Sequence, residues 1–73
     1  MNFFRCTDHA AYRYQMRVNR KISFPDAKNR VEKEVENNCD LWGNDGKVQI
    51  FRHRLFNRRF MVKGRKVLTV ELC

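Results

Sequence analysis

The sequence predicts an α+β domain in which two N-terminal helices pack on one face of a three-stranded antiparallel sheet. Up to about residue 38, apolar residues recur at intervals of three and four, which is the spacing of one face of an α-helix. After Gly46 the period changes to two, which is typical of strands with one buried face. Seventy-three residues suffice for one small domain, residues 1–73, and exclude a multidomain enzyme.

The first helix is expected over residues 8–19. Thr7 or Asp8 supplies an N-cap oxygen for the amides of the first turn. Its apolar stripe consists of Ala11, Tyr14 and Val18. The opposite face carries His9, Arg13, Arg17 and Arg20, which advance by four, four and three residues and so project from one side.

The second helix is predicted to begin after Ser23, with Pro25 in its first turn and Asp26 completing a variant of the capping box. The apolar seam of this helix consists of Phe24, Ala27, Val31 and Val35. Asn37-Asn38 closes the helix, and Leu41-Trp42 is expected to fold back onto the core.

A turn is predicted at residues 43–46, because Gly-Asn-Asp-Gly combines strong turn formers. Three strands follow, over residues 47–53, 59–62 and 67–72. Lys63-Gly64-Arg65 forms the hairpin between the last two strands. The alternation in the second strand leaves one face for burial and the other for charge.

The charge is polarised along the chain, which has a net charge of +8 and a pI near 10.0. Residues 47–66 hold eight basic side chains and no acidic one, whereas residues 1–46 have a balance of +1. Residues 32–45 form a local acidic stretch. Such asymmetry usually indicates a binding face for an anionic partner.

Several other classes of protein are excluded by the composition. The apolar runs are too short to span a bilayer, and the N-terminus has no apolar region of a secretory signal, so we expect a cytoplasmic protein. Cys6, Cys39 and Cys73 are too few and too scattered for a disulfide framework or a zinc site. We expect reduced thiols, at least one of them packed in the core, and neither a metal nor a cofactor.

Basic side chains on the predicted sheet and first helix are the candidate binding residues. They are Arg13, Arg17, Arg52, Arg54, Arg58, Arg59, Lys63, Arg65 and Lys66. Phe51, Phe56 and Phe60 are interleaved with them and are expected in the core, because a domain this small needs them there. Guanidinium and ammonium groups neutralise phosphates, but an acidic protein surface would suit them equally well.

The segment Thr7-Asp8-His9-Ala10-Ala11-Tyr12-Arg13, with Arg17 one turn later, resembles the T-x-HA-x-x-R-x-x-x-R opening of a family of small uncharacterised bacterial and phage domains. That family is thought to be related to the RelE-like ribonuclease toxins. Residues 67–70, Val-Leu-Thr-Val, resemble its final strand. The matching positions cover about a sixth of the chain.

This resemblance implies candidate residues for RNA cleavage or contact: His9, Arg13, Arg17, Arg52 or Arg59, and Thr69. His9, Arg17 and Arg59 would form the catalytic set of a metal-independent endoribonuclease, because cleavage needs proton transfer and cationic stabilisation of the transition state. Two features count against it. The basic half has no carboxylate to orient a histidine, and the chain lacks the leading strand of RelE-like toxins.

A non-enzymatic function is therefore the favoured prediction, although an enzyme is not excluded. By size and charge, the chain is similar to small phage proteins that bind host RNA polymerase or nucleic acid and modulate transcription by inhibition or antitermination; this is an analogy without a motif. The alternatives are the RelE-like endoribonuclease and a nonspecific nucleic-acid-binding protein. The sequence leaves the oligomeric state open.

Overall fold

The computed structural model describes residues 2–72, which form two helices and a five-stranded mixed sheet. In chain order the elements are β1 (Arg5–Cys6), α1 (Asp8–Arg17), α2 (Phe24–Asn37), β2 (Cys39–Asp45), β3 (Val48–His53), β4 (Arg58–Lys63) and β5 (Lys66–Leu72). The strand order is β1-β5-β4-β3-β2, with β1 parallel to β5 and the other neighbours antiparallel. The prediction of a three-stranded antiparallel sheet is therefore wrong: the predicted strands are β3, β4 and β5, and one further strand lies on each side of them.

A short strand, β1, precedes the first helix, contrary to the expectation that the chain has no leading strand. It has two residues, and its parallel register places Cys6 beside Val67 of β5. The backbone N–H of Arg5 donates to the carbonyl of Arg65 at 2.7 Å. Two residues cannot display an alternating pattern, so the strand exists only through its long-range pairing and has no local signature.

Residues 39–45 form the strand β2, although the sequence predicted that Leu41-Trp42 would fold back onto the core. Leu41 and Trp42 lie in this strand at the end of the sheet and are 54% and 61% exposed. The register with β3 shifts between Leu41 and Gly43, so Trp42 occupies a bulge. The turn begins later than predicted, at Gly46, whose φ of +64° is in the left-handed region that glycine tolerates.

Local capping sets the start of both helices, as predicted. The Thr7 hydroxyl oxygen accepts from the backbone N–H of Ala10 at 3.2 Å, and the Ser23 hydroxyl oxygen accepts from that of Asp26 at 3.2 Å. The predicted second helix is confirmed from Phe24 to Asn37. The first helix ends at Arg17, two residues earlier than predicted.

The strand register separates the two faces of the sheet. One row, Phe51–Phe60–Val70, lies on the helix side, where Phe60 and Val70 are fully buried in one core with residues of both helices. The adjacent row, Ile50–Met61–Thr69, points the other way. Neither of the two helices between residues 2 and 72 covers this second face, which we call the open face. Neither helix described here has the length and apolarity to cross a membrane.

The two edges of the sheet differ. Beyond the short β1, the carbonyls of β5 are met by side chains: the Thr7 hydroxyl donates to the carbonyl of Val67 at 2.7 Å, and the Arg17 guanidinium donates to that of Val70 at 2.9 Å. The opposite edge, β2, pairs with β3 and with no other strand of residues 2–72. Side chains thus protect one edge, while the other is mostly exposed and interrupted by the bulge.

Candidate anion-binding interface

Alternation and register place three rows of side chains on the open face. The row next to the β4–β5 hairpin contains Arg5, Lys66 and Lys63. The middle row contains Ile50, Met61 and Thr69. The third row contains Asp40, Arg52, Arg59 and Glu71. The open face is thus an apolar strip between two charged rows, and five of its charged side chains are basic.

The positive charge at the hairpin end is uncompensated. Lys63 lies opposite Lys66, which lies beside Arg5, and none of the three forms an ion pair with any residue between 2 and 72. Arg65 joins them from the turn, where its guanidinium stacks on the Phe3 ring at 4.9 Å and donates to the Phe3 carbonyl at 2.9 Å. We call Arg5, Lys63, Arg65 and Lys66 the hairpin-end cluster. Like charges on neighbouring strands repel, so such a cluster favours a bound anion.

The third row, in contrast, is largely neutralised within the protein. Arg59 pairs with Glu71 at 3.2 Å, and Arg54, just beyond β3, pairs with Asp40 at 3.1 Å. Arg54 also donates to the carbonyl of Asn37 at 3.1 Å. Arg52 makes no ion pair within the described part of the chain, so it is the cation of this row that remains available.

Arg58 lies on the opposite side of the sheet from the predicted binding face. Its Nε is 3.0 Å from Oε1 of Glu34 in a buried ion pair, without the alignment of a hydrogen bond. The Tyr14 hydroxyl donates to the other carboxylate oxygen at 2.6 Å, and His53 Nε2 lies 3.7 Å from Oε1. Sequence reasoning missed this cluster, although Glu34 falls on the helix face that also carries Val31 and could have signalled it.

The histidine and arginines of the first helix separate along its length. Arg13 donates to His9 Nε2 at 3.4 Å near the helix start. Arg17, near its end, lines a shallow cleft with Arg59 and Glu71. His9 precedes Arg17 by eight residues, which is about 12 Å along a helix axis. The structure thus brings Arg17 and Arg59 together but leaves His9 apart from them.

The interleaved phenylalanines have three different environments. Phe60 is fully buried, as predicted, and Phe51 packs partly buried against the core. The prediction for Phe56 is wrong: it is 57% exposed and stacks on the guanidinium of Arg58 at 4.7 Å. It lies in the loop after β3, outside the alternating pattern, so the strand argument did not apply to it.

The two cysteines that the structure describes lie in the core. Cys6 and Cys39 are buried free thiols, as predicted for at least one of them, and burial raises the pKa of each to about 12. Cys73 lies outside the described residues. Between residues 2 and 72, no three His, Cys, Asp or Glu side chains are grouped to hold a metal ion.

No protein-family model, curated protein or solved structure matches this chain.

Proposed function

We propose that this protein acts by binding an anionic macromolecule through the open face of its sheet, as a non-enzymatic regulator of transcription. The hairpin-end cluster carries the proposal, because its lysines and arginines gather on one exposed end of the face without carboxylate partners in the described chain. The analogy of size and charge points to RNA polymerase, nucleic acid or both as partner, with inhibition or antitermination as outcome. An anionic target would relieve the repulsion within the cluster.

Charge reversal at the hairpin end tests the proposal. The variant Lys63→Glu/Lys66→Glu should weaken binding to purified bacterial RNA polymerase or to single-stranded oligonucleotides more than about ten-fold, because like charges would then face the partner. Each partner is titrated separately, and an in vitro transcription assay measures the effect on initiation and termination. Both lysines are exposed, so the fold should persist.

A matched control makes the same change of charge elsewhere. Arg30→Glu/Lys33→Glu alters two exposed basic residues of α2, away from the open face, and should bind like the wild type. Equal losses in both variants would show that only the net charge matters and would reject a defined interface. Reversal of Arg59 is less informative, because a glutamate there would lie beside Glu71 and repel it.

The endoribonuclease remains the second candidate, on two observations. Arg17 and Arg59 line one cleft with Glu71, and the chain has a leading strand, which the RelE-like resemblance implies. In such a site Glu71, paired with Arg59 at 3.2 Å, rather than His9 would lie near the arginines. RNA that stays intact with purified wild-type protein would reject this candidate.

A further inference from the structure

A concavity of about 260 Å³ lies at the end of the sheet away from the hairpin-end cluster. It opens between the end of β3, the bulge of β2 and the loop that joins β3 to β4. Its walls include Asp40, Trp42, Arg52, Phe56 and Asn57. Of the candidate binding residues, Arg52 and Arg54 line this concavity, and Arg54 is already paired with Asp40.

Two exposed aromatic rings and one available cation form its walls. Trp42 is 61% exposed, and the guanidinium of Arg52 lies 5.9 Å from its ring centroid. Phe56, 57% exposed, faces the same concavity. Exposed aromatic rings beside an arginine are typical of stacking platforms for nucleic-acid bases.

The wall formed by Phe56 is fixed by the backbone of its loop. His53 Nδ1 accepts from the N–H groups of Leu55 and Phe56, at 3.1 and 3.2 Å. The Phe56 ring also stacks on Arg58 at 4.7 Å and lies 5.0 Å from the His53 ring. A loop held at these points presents a preformed site, which reduces the entropic cost of binding.

The polar groups at the rim match the edge of a base. Asp40 accepts a hydrogen bond from Arg54, and a carboxylate can also accept from the exocyclic amino group of a base such as cytosine. The amide of Asn57 offers both a donor and an acceptor. An ionised acidic side chain has no N–H to donate to Asp40, whereas a base with an amino group does, so the rim favours a nucleotide over an acidic side chain.

We propose that this concavity binds one base and the adjacent phosphate of a single-stranded nucleic acid, with the base stacked on Trp42 and the phosphate against Arg52. The inference rests on the proposed function and specifies its partner. From Arg59, in the row of Arg52, to Lys63 is four residues of β4, or about 13 Å. A single-stranded nucleic acid whose base is stacked on Trp42 can therefore cross the apolar row and reach the hairpin-end cluster.

The intrinsic fluorescence of Trp42 tests the inference directly, because the chain has a single tryptophan. Addition of a cytidine decanucleotide should quench it. In an anisotropy titration of the labelled decanucleotide, Trp42→Leu should weaken binding between about 5-fold and about 150-fold, the range for loss of one stacked base. Trp42→Phe should retain most of the affinity, and Tyr12→Leu, which removes a ring that is 52% exposed on α1, should not change it.

Cytidine monophosphate forms the second arm. Quenching by the monophosphate as well as by the decanucleotide supports a site that also accepts free nucleotides, and quenching by the decanucleotide alone supports a site for strands. Both outcomes agree with the stacked base. If neither the decanucleotide nor the monophosphate quenches the fluorescence of Trp42, the inference is overturned.

The two proposals fail in different ways. If Trp42→Leu binds the decanucleotide like the wild type while Lys63→Glu/Lys66→Glu does not, the base site is wrong and the open face stands. If the wild type does not bind the decanucleotide but binds RNA polymerase through the hairpin-end cluster, the partner is a protein and the proposed base site is again wrong. Unchanged binding in both variants overturns both proposals.

Discussion

At the scale of single residues, the buried carboxylate of Glu34 joins four elements of the fold. It lies on α2 and contacts Tyr14 of α1, Arg58 of β4 and His53 of β3. An isolated charge at this depth would cost several kcal/mol, so its partners must accompany it. Burial, and then the hydrogen bond to Glu34, raise the pKa of the Tyr14 phenol, which stays protonated as the donor. The cluster explains why Arg58, despite its place in the basic block, stabilises the fold instead of facing a partner.

His53 makes the stability of this cluster dependent on pH. Burial lowers its pKa below the ordinary 6.5, helped by the positive charges of Arg58 and Arg54 and opposed by Glu34. Protonation of Nδ1 would also remove the acceptor of two loop amides. The unfolded chain therefore binds a proton on His53 more tightly than the folded chain does. The stability that neutral His53 contributes is complete above pH 6.5 and is lost as the pH falls towards the lower pKa of His53 in the folded protein. Urea unfolding across that interval measures it.

Two substitutions isolate the effect of His53. His53→Asn keeps an acceptor near the loop but does not titrate, so the slope of unfolding free energy against pH below 6.5 should become shallower. His9→Asn removes the other histidine, which is exposed on α1 away from the Glu34 cluster, and serves as the matched control for the loss of an imidazole. The same slope in all three proteins would assign the pH dependence to groups other than His53.

At the scale of the elements, Thr7 connects the start of α1 with the edge of β5. Its oxygen accepts from the N–H of Ala10, and its hydroxyl donates to the carbonyl of Val67. The hydroxyl also lies 3.3 Å from the carbonyl of Leu68. Thr7→Val keeps the shape and removes the hydrogen bonds of the hydroxyl, so it should lower the unfolding free energy by about 1.5–3 kcal/mol, the sum of an N-cap and one donated hydrogen bond. Chemical denaturation measures the loss. Thr7→Ser retains the hydroxyl and should stay within about 1 kcal/mol of the wild type; an equal loss in both variants would assign the effect to the methyl group.

Elements with local signals were predictable, and elements without them were not. Ser23 and Pro25 mark the start of α2 because capping depends only on nearby residues. The strand β1 depends on a partner about sixty positions away in the chain, and Gly43 to Asp45 resemble a turn in isolation although β3 holds them in a strand. Such pairing is decided by the whole sheet, as is the bulge that exposes Trp42.

At the scale of the molecule, the structure divides the basic block into compensated and uncompensated ends. Near the β3–β4 loop, three of the arginines have carboxylate partners and Arg52 has none, whereas no member of the hairpin-end cluster has one within residues 2–72. The paired arginines are Arg54, Arg58 and Arg59. The sequence located the excess charge but not this division, because a carboxylate such as Glu34 or Glu71 reaches its arginine only in the folded chain.

This division predicts a salt-dependent affinity. Binding to an oligonucleotide should weaken linearly in a plot of log K against log salt concentration, because each phosphate contact releases counterions. Lys63→Glu/Lys66→Glu should reduce the slope by about 2, one contact for each lysine lost, and Arg30→Glu/Lys33→Glu should keep it. Titrations at several salt concentrations provide the measurement. An affinity independent of salt would contradict an electrostatic interface.

The sequence by itself determined two capped helices, three strands with a period of two, and a polarised positive charge, because each depends on residue type and on neighbours a few positions away. Only the tertiary structure decided that the sheet has five strands, that Arg58 is buried against Glu34, and that Trp42 is exposed beside Arg52. The physical reason is that strand pairing, ion pairing and burial join residues distant in the chain, and their energies depend on the complete fold rather than on any local segment.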